Sequence, residues 1–432
     1  MPLTYSDTLD FLYNLERYGI RFGLDVIAAL LAKLENPHHR YPTLHIGGTN
    51  GKGSCAAMAA AILQAAGYRV GLYTSPHMYD FRERIRVQGE AISEEHVIEL
   101  TKRIRDVCQG LSPTFFEWTT AMALTAFADC QVDVAVIEVG MGGRLDATNV
   151  ISPLATLITN IAFDHERFLG NTLSAIAYEK AGIVKPAVPT IVGAMPTEAS
   201  EVIRRCAAER RSPWYQFGVD FHIQHQDQRR FAYQGLDRTY ENLSCALEGR
   251  HQALNAACAL ALLEAGARQG LSITESAIRT GLSRVQWPGR LEVWRTAPLL
   301  LVDGAHNPDA AQTLVAYLTR VLVRRPCSRL ILVVGMMRDK DHAGFLKLLT
   351  PLAHSLILTQ AHLPRAATPQ ELANCLPEDR RHVELYPNPL EALLAAERRA
   401  NPSDVICVTG SLILIGELGV ALRRAAPTVA QS

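Results

Sequence analysis

One short stretch decides the fold: Thr43-Leu44-His45-Ile46-Gly47-Gly48-Thr49-Asn50-Gly51-Lys52-Gly53-Ser54. It has the pattern of a buried strand, a glycine-rich turn and a helix that begins near Gly53. Glycines let backbone N–H groups surround an anion without Cβ clashes, the helix dipole directs its positive end to the same place, and Lys52 adds a full charge. The next residues are strong helix formers, and Gly67 is placed to end the helix. The stretch therefore predicts a phosphate-binding loop.

The loop departs from the usual P-loop spacing, because it is shorter and its hydroxyl residue is Ser54 rather than the residue directly after Lys52. The alternative is an ordinary glycine-rich turn between a strand and a helix. We favour nucleotide binding, since Gly-Lys at a helix N-terminus directly after a strand is much rarer than scattered glycines.

Composition bounds the class of protein. The chain has 432 residues, of which 48% are hydrophobic and 20% are charged, so two domains are expected. Its 43 Lys and Arg residues balance 43 Asp and Glu residues, which leaves no basic excess for nucleic acid. Nine cysteines without a CxxC pair suit a reducing compartment. With no signal-peptide pattern and no apolar run of membrane-spanning length, we expect a cytoplasmic protein without a membrane segment.

Strand and helix patterns alternate after the loop, which predicts a parallel sheet covered by helices on both faces. Residues 212–247 differ and have the pattern of antiparallel strands on one edge. The breaker pair Pro288-Gly289 precedes a second alternation. The predicted fold is thus α/β, with a P-loop-containing parallel-sheet domain over residues 1–290 that binds ATP. A smaller, three-layer, Rossmann-like α/β domain is predicted over residues 291–432.

Polar residues follow several of the predicted strands. In open parallel sheets, ligands bind beyond the carboxyl ends of the strands, so these residues are the candidates for chemistry. They are Ser75, His77, Glu138, Arg144, Asp146, Asp164, His165, Asp303 and His306.

Glu138 lies inside an apolar run, where a carboxylate must be paired or bound to a cation. Mg²⁺ beside a nucleotide is one partner, since it takes one or two protein carboxylates and fills its shell with water and phosphate. The alternative is a carboxylate satisfied by backbone groups or by Arg144. In the pair Asp164-His165, oxygen-preferring Mg²⁺ favours Asp164, because a lone histidine is usually a hydrogen-bonded loop residue.

Two further positions predict no function on their own. Lys180 lies at the end of a predicted helix, where a lysine is usually solvated. His251 and Asn255 lie four residues apart on one helix face, where a cap or a surface position is the default.

Seven motifs run in one order along nearly the whole chain. They are Gly48 to Ser54, Thr74 to His77 with Phe81 to Ile85, Glu138 to Asn149, Phe163 to His165 with Leu169-Gly170, Glu179 to Ile183, Pro288 to Arg290, and Asp303 to Pro308. In this order they resemble the folylpolyglutamate synthases and bacterial bifunctional dihydrofolate synthases. These enzymes are relatives of the Mur ligases and share their ATP-dependent amide-forming fold.

The resemblance implies a role for each matching position. It implies that ATP is bound by Thr49, Asn50, Gly51, Lys52, Gly53, Ser54, Asn255, Arg290 and Asp303. It implies that Mg²⁺ is held by Ser75, Glu138 and His165, against the residue-based preference for Asp164. A second Mg²⁺ would lie beside Lys180, after CO₂ has carbamylated that lysine. The implied catalytic residues are Lys52, Lys180 and His306, and the implied contacts of the incoming glutamate are His306 and Ser411. The implied pterin pocket draws on Ser75 to His77 and the loops near Phe116-Glu117.

The implied reaction adds L-glutamate to a folate, and to dihydropteroate as a further acceptor. ATP first converts the acceptor carboxylate to an acyl phosphate, since oxide is a poor leaving group, and the glutamate amine then displaces phosphate. The expected partners are therefore small molecules only (ATP, glutamate and the acceptor), and we expect a monomer.

Two alternatives stay open from the sequence. The first is a Mur-type ligase of cell-wall synthesis; against it stand Gly53-Ser54 after the lysine and the absence of a nucleotide-sugar domain before residue 43. The second is a P-loop regulatory ATPase, which would leave Asp303 and His306 in the second domain unexplained.

Overall fold

The computed structural model describes residues 4–15, 19, 21–227, 229–377 and 382–425. We call the part before Arg290 the N-terminal region and the rest the C-terminal region. The elements of the N-terminal region are α1 (Tyr5–Asn14), α2 (Asp25–Lys33), β1 (Thr43–Gly47), α3 (Lys52–Ala65), β2 (Val70–Tyr73), β3 (Ile85–Val87), β4 (Glu90–Ala91), α4 (Glu94–Val107), α5 (Phe115–Asp129), β5 (Val134–Glu138), β6 (Ala155–Ile158), α6 (Glu166–Leu169), α7 (Leu173–Ala181), β7 (Thr190–Val192), α8 (Thr197–Glu209), β8 (Trp214–Gln216), β9 (His222–His225), β10 (Arg230–Gln234), β11 (Thr239–Ser244), α9 (His251–Ala267) and α10 (Glu275–Arg284).

The C-terminal region repeats the alternation on a smaller scale. Its elements are β12 (Glu292–Thr296), β13 (Leu299–Asp303), α11 (Pro308–Arg324), β14 (Leu330–Val334), α12 (His342–Leu349), β15 (Ser355–Leu358), α13 (Pro369–Ala373), β16 (Val383–Leu385), α14 (Pro389–Arg399), β17 (Val405–Thr409) and α15 (Leu412–Ala425).

An eight-stranded sheet organises the N-terminal region, in the order β4-β3-β2-β5-β1-β6-β7-β8. All neighbours pair in parallel except β2 with β3 and β3 with β4. Every residue of β1 and β5 is buried, because helices cover both faces of a parallel sheet. The loop after β1 therefore opens at the middle of the sheet.

Helix α3 is enclosed rather than amphipathic, which explains its run of alanines. On one face of the sheet it packs with α9 and α10 in a single apolar cluster. Helices α1, α2, α4 and α5 supply apolar side chains to the cluster on the other face. Small side chains let these helices approach the strands closely, so the start of α3 is fixed from several sides.

The C-terminal region is built on a six-stranded sheet in the order β12-β13-β17-β14-β15-β16. Only the edge strand β12 is antiparallel to its neighbour. One face carries the apolar cluster of α11 and α12, and the other face carries that of α14 and α15. Three layers result, as predicted.

The sequence prediction of an α/β fold with two parallel sheets is confirmed. The prediction of antiparallel edge strands over residues 212–247 is only partly right. Strand β8 joins the main sheet in parallel, while β9, β10 and β11 form a separate antiparallel sheet. The missed elements are β3, β4, β12, β16, α6 and α8, and each of the missed strands is at most five residues long. The spacing of apolar residues predicts a first helix over residues 6–18, but α1 ends at Asn14 and residues 16–18 lie outside the described ranges. The domain boundary at Arg290 stays a prediction.

Among the described residues, no helix combines the length and the apolar character needed to cross a membrane.

The contact between α3 and α10 gives a stability prediction. A Cβ on Gly281 of α10 would lie 2.5 Å from the backbone Cα of Ile62 in α3. Replacing glycine by alanine inside a helix usually stabilises it by up to about 1 kcal/mol. Here the clash with the backbone of α3 outweighs that stabilisation. We therefore expect Gly281→Ala to lower the free energy of unfolding by about 1–3 kcal/mol.

Thermal or urea unfolding measures this effect, with Ser283→Ala on the exposed face of the same helix as the control. The close approach of the two helices would be contradicted if Gly281→Ala were as stable as the parent.

Candidate active site

The loop between β1 and α3 is held by two different elements. Gly51, the N-cap of α3, has φ of 81°, and a Cβ there would lie 2.6 Å from Oδ1 of Asn255 in α9. A Cβ on Gly53 would lie 2.9 Å from the Trp287 indole. The loop thus needs glycine both for its backbone angle and for its neighbours, and its amides converge at the positive end of α3.

Lys52 is the first residue of α3 and is half-buried rather than free on the surface. Its Nζ donates a hydrogen bond to the Thr49 carbonyl at 3.0 Å. Burial lowers the pKa of Lys52, and the charges of Glu138 and Asp164 oppose this shift. Thr49 and Ser54 are themselves buried, so these predicted nucleotide ligands line the inner side of the loop.

Glu138 is the last residue of β5 and is only 4% exposed. Its carboxylate accepts a hydrogen bond from the Ser75 N–H at 3.2 Å. Burial raises the pKa of Glu138, and the neighbouring Lys52 charge opposes the rise. Of the two alternative partners, Arg144 instead pairs its guanidinium with Glu179 at 2.8 Å, whereas the Ser75 N–H is a backbone partner of the kind that the alternative named. The structure therefore brings Ser75 and Glu138 together next to Lys52.

Lys180 is not the solvated helix-end lysine that its position in the sequence indicated. It is 5% exposed at the end of α7, and its Nζ donates to the Gly48 carbonyl at 2.9 Å. Burial and the nearby Lys52 charge lower the pKa of Lys180 to about 7. At neutral pH a large fraction of this amine is uncharged.

Asp164 lies in a cluster of cationic and polar groups from the C-terminal region. Its Oδ1 is 2.6 Å from Lys340 Nζ, and its Oδ2 is 3.6 Å from His306 Nε2. Burial alone would raise the pKa of Asp164, but His306 and Lys340 hold it well below the usual range. The preference for Asp164 as a magnesium ligand is weakened, since its carboxylate already has a lysine partner.

His165 follows in a left-handed conformation with φ of 52°. Its Nε2 lies 3.3 Å from Lys340 Nζ, and its Nδ1 lies 3.7 Å from the Asp339 carboxylate. Burial lowers the pKa of His165 to about 4, and Lys340 adds to this shift against the opposing charge of Asp164. The imidazole is therefore neutral at physiological pH, and one of its ring nitrogens carries a lone pair.

The carboxyl end of β13 supplies the predicted residues of the second region. Asp303 is buried and accepts hydrogen bonds from the N–H groups of Leu291 at 2.9 Å and Ala305 at 3.0 Å. Burial raises its pKa, and the Arg290 charge opposes the rise. His306 Nδ1 donates to the Gly304 carbonyl at 2.8 Å, which fixes the ring.

Two adjoining cavities connect these groups. The larger has a volume of about 360 Å³ and is lined by both regions, by Ser75 and His165 on one side and by His306 and Ser411 on the other. The smaller, of about 40 Å³, is lined by Gly53, Ser75, Glu138, Trp287 and Arg290. Ser75 borders both cavities, and seven of the predicted site residues line one cavity or the other.

Several residues at this site were missed by the sequence analysis. Trp287 lies against the loop, Lys340 pairs with Asp164, and Asn307 and Asp309 bond to the side chain of Asn50. Asn50, predicted as an ATP ligand, thus contacts the C-terminal region. The motif from Asp303 to Pro308 contains Asn307 without assigning it a role, and no sequence pattern indicated the other three, because each acts across a contact between distant segments.

Within the described ranges, no three His, Cys, Asp or Glu side chains come together as a metal site. Only Glu138 and His165 of the predicted ligands belong to those residue types. Glu138 nevertheless fits Mg²⁺, because its buried carboxylate adjoins the phosphate loop and has a backbone amide as its direct hydrogen-bond partner.

Comparison with known proteins covers almost the whole chain. Residues 46–263 match the Mur ligase middle domain, and residues 289–412 match the Mur ligase glutamate ligase domain. The dihydrofolate synthase/folylpolyglutamate synthase of Bacillus subtilis is 32% identical, over 98% of this chain and 100% of that protein.

Two solved structures share the fold. Escherichia coli FolC in complex with DHPP and ADP has a TM-score of 0.89 and 33% identity, over 97% of this chain and 98% of that one. A bifunctional folylpolyglutamate synthase/dihydrofolate synthase with Mn, AMPPNP and L-glutamate bound has a TM-score of 0.87 and 33% identity, over 98% of this chain and 100% of that one. The chain therefore belongs to the folylpolyglutamate synthase and dihydrofolate synthase family of ATP-dependent Mur-type ligases.

Proposed function

We propose that the protein adds L-glutamate to folates through an amide bond, with ATP converted to ADP and phosphate, and that it also accepts dihydropteroate. One observation carries this proposal: a cavity is lined by Ser75 and His165 of the N-terminal region and by His306 and Ser411 of the C-terminal region, and Ser75 also lines the adjoining cavity that Gly53 of the loop borders. An acyl group activated at the loop would meet an amine held by the second region across this space.

The nucleotide would bind at the loop. The backbone amides at the start of α3 and the Lys52 ammonium stabilise negative charge as it moves onto the phosphates. Asn255 borders the loop at Gly51, and Arg290 lines the smaller cavity together with Gly53, so both are proposed nucleotide contacts. Asp303 is kept as a proposed contact, although it lies buried next to Arg290 and its carboxylate bonds to backbone N–H groups. Thr49, Asn50, Gly53 and Ser54 complete the predicted contacts.

Magnesium would be held next to the loop by Ser75 and Glu138, with the neutral imidazole of His165 as a further ligand. The contact between Ser75 and Glu138 supports this set, and a relative solved with Mn bound supports a divalent cation. When bound, the ion supplies positive charge that polarises the phosphate oxygens. Lys340 Nζ, 3.3 Å from His165 Nε2, must move aside for His165 to coordinate it.

The proposed anion at Lys180 is a carbamate. The neutral amine attacks CO₂, a C–N bond forms and one proton is released. Two observations support this modification: the side chain is enclosed beneath the loop, and its pKa of about 7 leaves much of the amine unprotonated. The added carboxylate would offset the charge of Lys52 and help to hold a second Mg²⁺.

The larger cavity suits a substrate with aromatic rings and a carboxylate. The rings of Phe22, Phe115 and Phe116 line it, and Arg21 and Arg365 supply positive charge. His306 and Ser411, at the carboxyl ends of strands β13 and β17, are the proposed contacts of glutamate.

A Mur-type cell-wall ligase and a regulatory ATPase are not favoured by any feature of the site.

All nine cysteines are free thiols, which supports a reducing cytoplasm as the location. We keep the monomer as a proposal.

The direct test measures glutamate incorporation into tetrahydrofolate and into dihydropteroate, together with phosphate release from ATP. We expect phosphate release to require both acceptor and glutamate. Phosphate release at the same rate without acceptor and glutamate would indicate the regulatory ATPase instead.

Lys52→Ala tests the phosphate loop. It should fold normally and lose activity by about 100-fold or more, because it removes charge at the transferred phosphate. A folded, fully active Lys52→Ala would contradict the phosphate-loop assignment.

Glu138→Gln tests the magnesium site, since it keeps the shape of the side chain and removes its charge. We expect the Mg²⁺ concentration for half-maximal activity to rise by at least about tenfold. Glu179→Gln, which removes a carboxylate paired with Arg144 outside the proposed ligand set, is the matched control. A Glu138→Gln titration that overlays the parent would mean that Glu138 is only a buried acid.

Lys180 is tested by removing and restoring the proposed anion. We expect Lys180→Ala to lose activity by about 100-fold or more and to recover partly with acetate, which can occupy the vacated space. Lys180→Arg should not recover, because its guanidinium fills that space with positive charge. Activity of the parent should fall without CO₂ and return with bicarbonate. Retained activity in Lys180→Ala, or a native mass that never includes the added carboxyl group, would exclude the carbamate.

A further inference from the structure

Four side chains join the phosphate loop to helix α11 across the two regions. Asn50 Nδ2 and Asn160 Nδ2 both donate to the same oxygen, Oδ2 of Asp309, at 2.9 and 3.1 Å. Asn307 Nδ2 donates to Asn50 Oδ1 at 3.0 Å. We call these four residues the latch; the proposed function uses only Asn50 among them.

Each half of the latch is fixed by its own region. The Asn50 N–H donates to Asn160 Oδ1 at 2.7 Å, and Thr159 Oγ1 donates to the Asn50 carbonyl at 2.6 Å. On the other side, Asn307 is the N-cap of α11, and its Oδ1 accepts from the Ala310 N–H at 2.9 Å. Each half of the latch is therefore held in place by its own region, independently of the contact between the two.

Asp309 is the central acceptor of this contact. Among the described residues it forms no ion pair, so the two side-chain amides of the N-terminal region are its main partners. Hydrogen bonds to a charged acceptor are the strong ones, and each can shift an equilibrium by roughly tenfold or more. Loss of both hydrogen bonds to Asp309 should therefore shift the two regions measurably toward an open arrangement.

The latch lies beside the place where the activated acyl group would form. Asn50 directly precedes Gly51 and Lys52 of the loop. On the other side, Asn307 directly follows His306, a proposed contact of glutamate, and its Nδ2 also lies 3.4 Å from Asp164. Opening at this point would admit water between the two proposed half-sites.

We propose that Asp309 is a positioning residue that holds the two regions closed and so protects the acyl phosphate from water until glutamate attacks. This inference rests on the proposed function. In the productive step, the glutamate nitrogen bonds to the acyl carbon, the carbon–oxygen bond to phosphate breaks, and the amine releases a proton. In the wasteful step, a water oxygen bonds to that carbon, the same bond breaks, and the carboxylate is restored with its proton released.

The ratio of phosphate released to amide formed separates the two steps, because only hydrolysis releases phosphate without product. We compare the parent with Asp309→Ala, which removes the acceptor, and Asp309→Asn, whose amide oxygen can still accept both hydrogen bonds. Gln312→Ala, at an exposed position of the same helix, is the control. Thermal unfolding of each variant identifies any loss of fold.

We expect the parent, Gln312→Ala and Asp309→Asn to release about one phosphate per amide bond, as the balanced reaction requires. Asp309→Ala should raise this ratio by about twofold or more, and its phosphate release with ATP and folate alone should increase. A fold defect would lower both rates together and leave the ratio unchanged.

Two results would overturn the proposal. The first is a folded Asp309→Ala that keeps the parent's ratio, whether its rates fall or not. The second is an Asp309→Asn that is as uncoupled as Asp309→Ala, because the two retained hydrogen bonds would then have no effect. Failure of the proposed function is distinct, since the parent itself would then form no amide bond.

Discussion

Close packing around one glycine-rich turn is the constraint on which the rest of the structure depends. Asn255 of α9 touches the turn at Gly51, Trp287 covers Gly53, and Lys180 reaches Gly48 from below. The C-terminal region contacts the fourth side through Asn50. These contacts come from segments up to 259 residues apart in sequence. Because these contacts come from four different parts of the chain, the shape of the turn depends on the assembly of both regions around it.

Burial gives this assembly an unusual electrostatic character. It lowers the pKa values of Lys52 and Lys180 and raises those of Glu138 and Asp303. In each case the charged form is disfavoured by desolvation and is partly restored by a neighbour of opposite sign. Polyphosphate would bring negative charge to the buried lysines, and a divalent cation would bring positive charge to the buried carboxylates. Both ligands would thus extend this compensation. The proposed ligands and the site would thus stabilise each other.

The sequence predicted the parts that follow from local pattern and failed where distant segments meet. Alternating strands and helices were sufficient for both parallel sheets, because buried strands are continuous apolar runs. The hairpin of β3 and β4 was missed, since strands of two or three residues carry no period. Lys180 resembled an ordinary helix-end lysine, and only the packing of α7 beneath the loop shows that it is buried. Lys340 and Asp309 likewise depend on how the two regions meet.

The position of Trp287 has a spectroscopic consequence. The chain contains 4 tryptophans, and the other three lie in α5, β8 and β12. Only Trp287 packs against the glycine turn, where its indole is within van der Waals reach of the first turn of α3 and borders the same small cavity as Glu138. Indole emission responds to nearby charge and to solvent contact. The fold therefore places one intrinsic fluorophore at the border of its own phosphate loop.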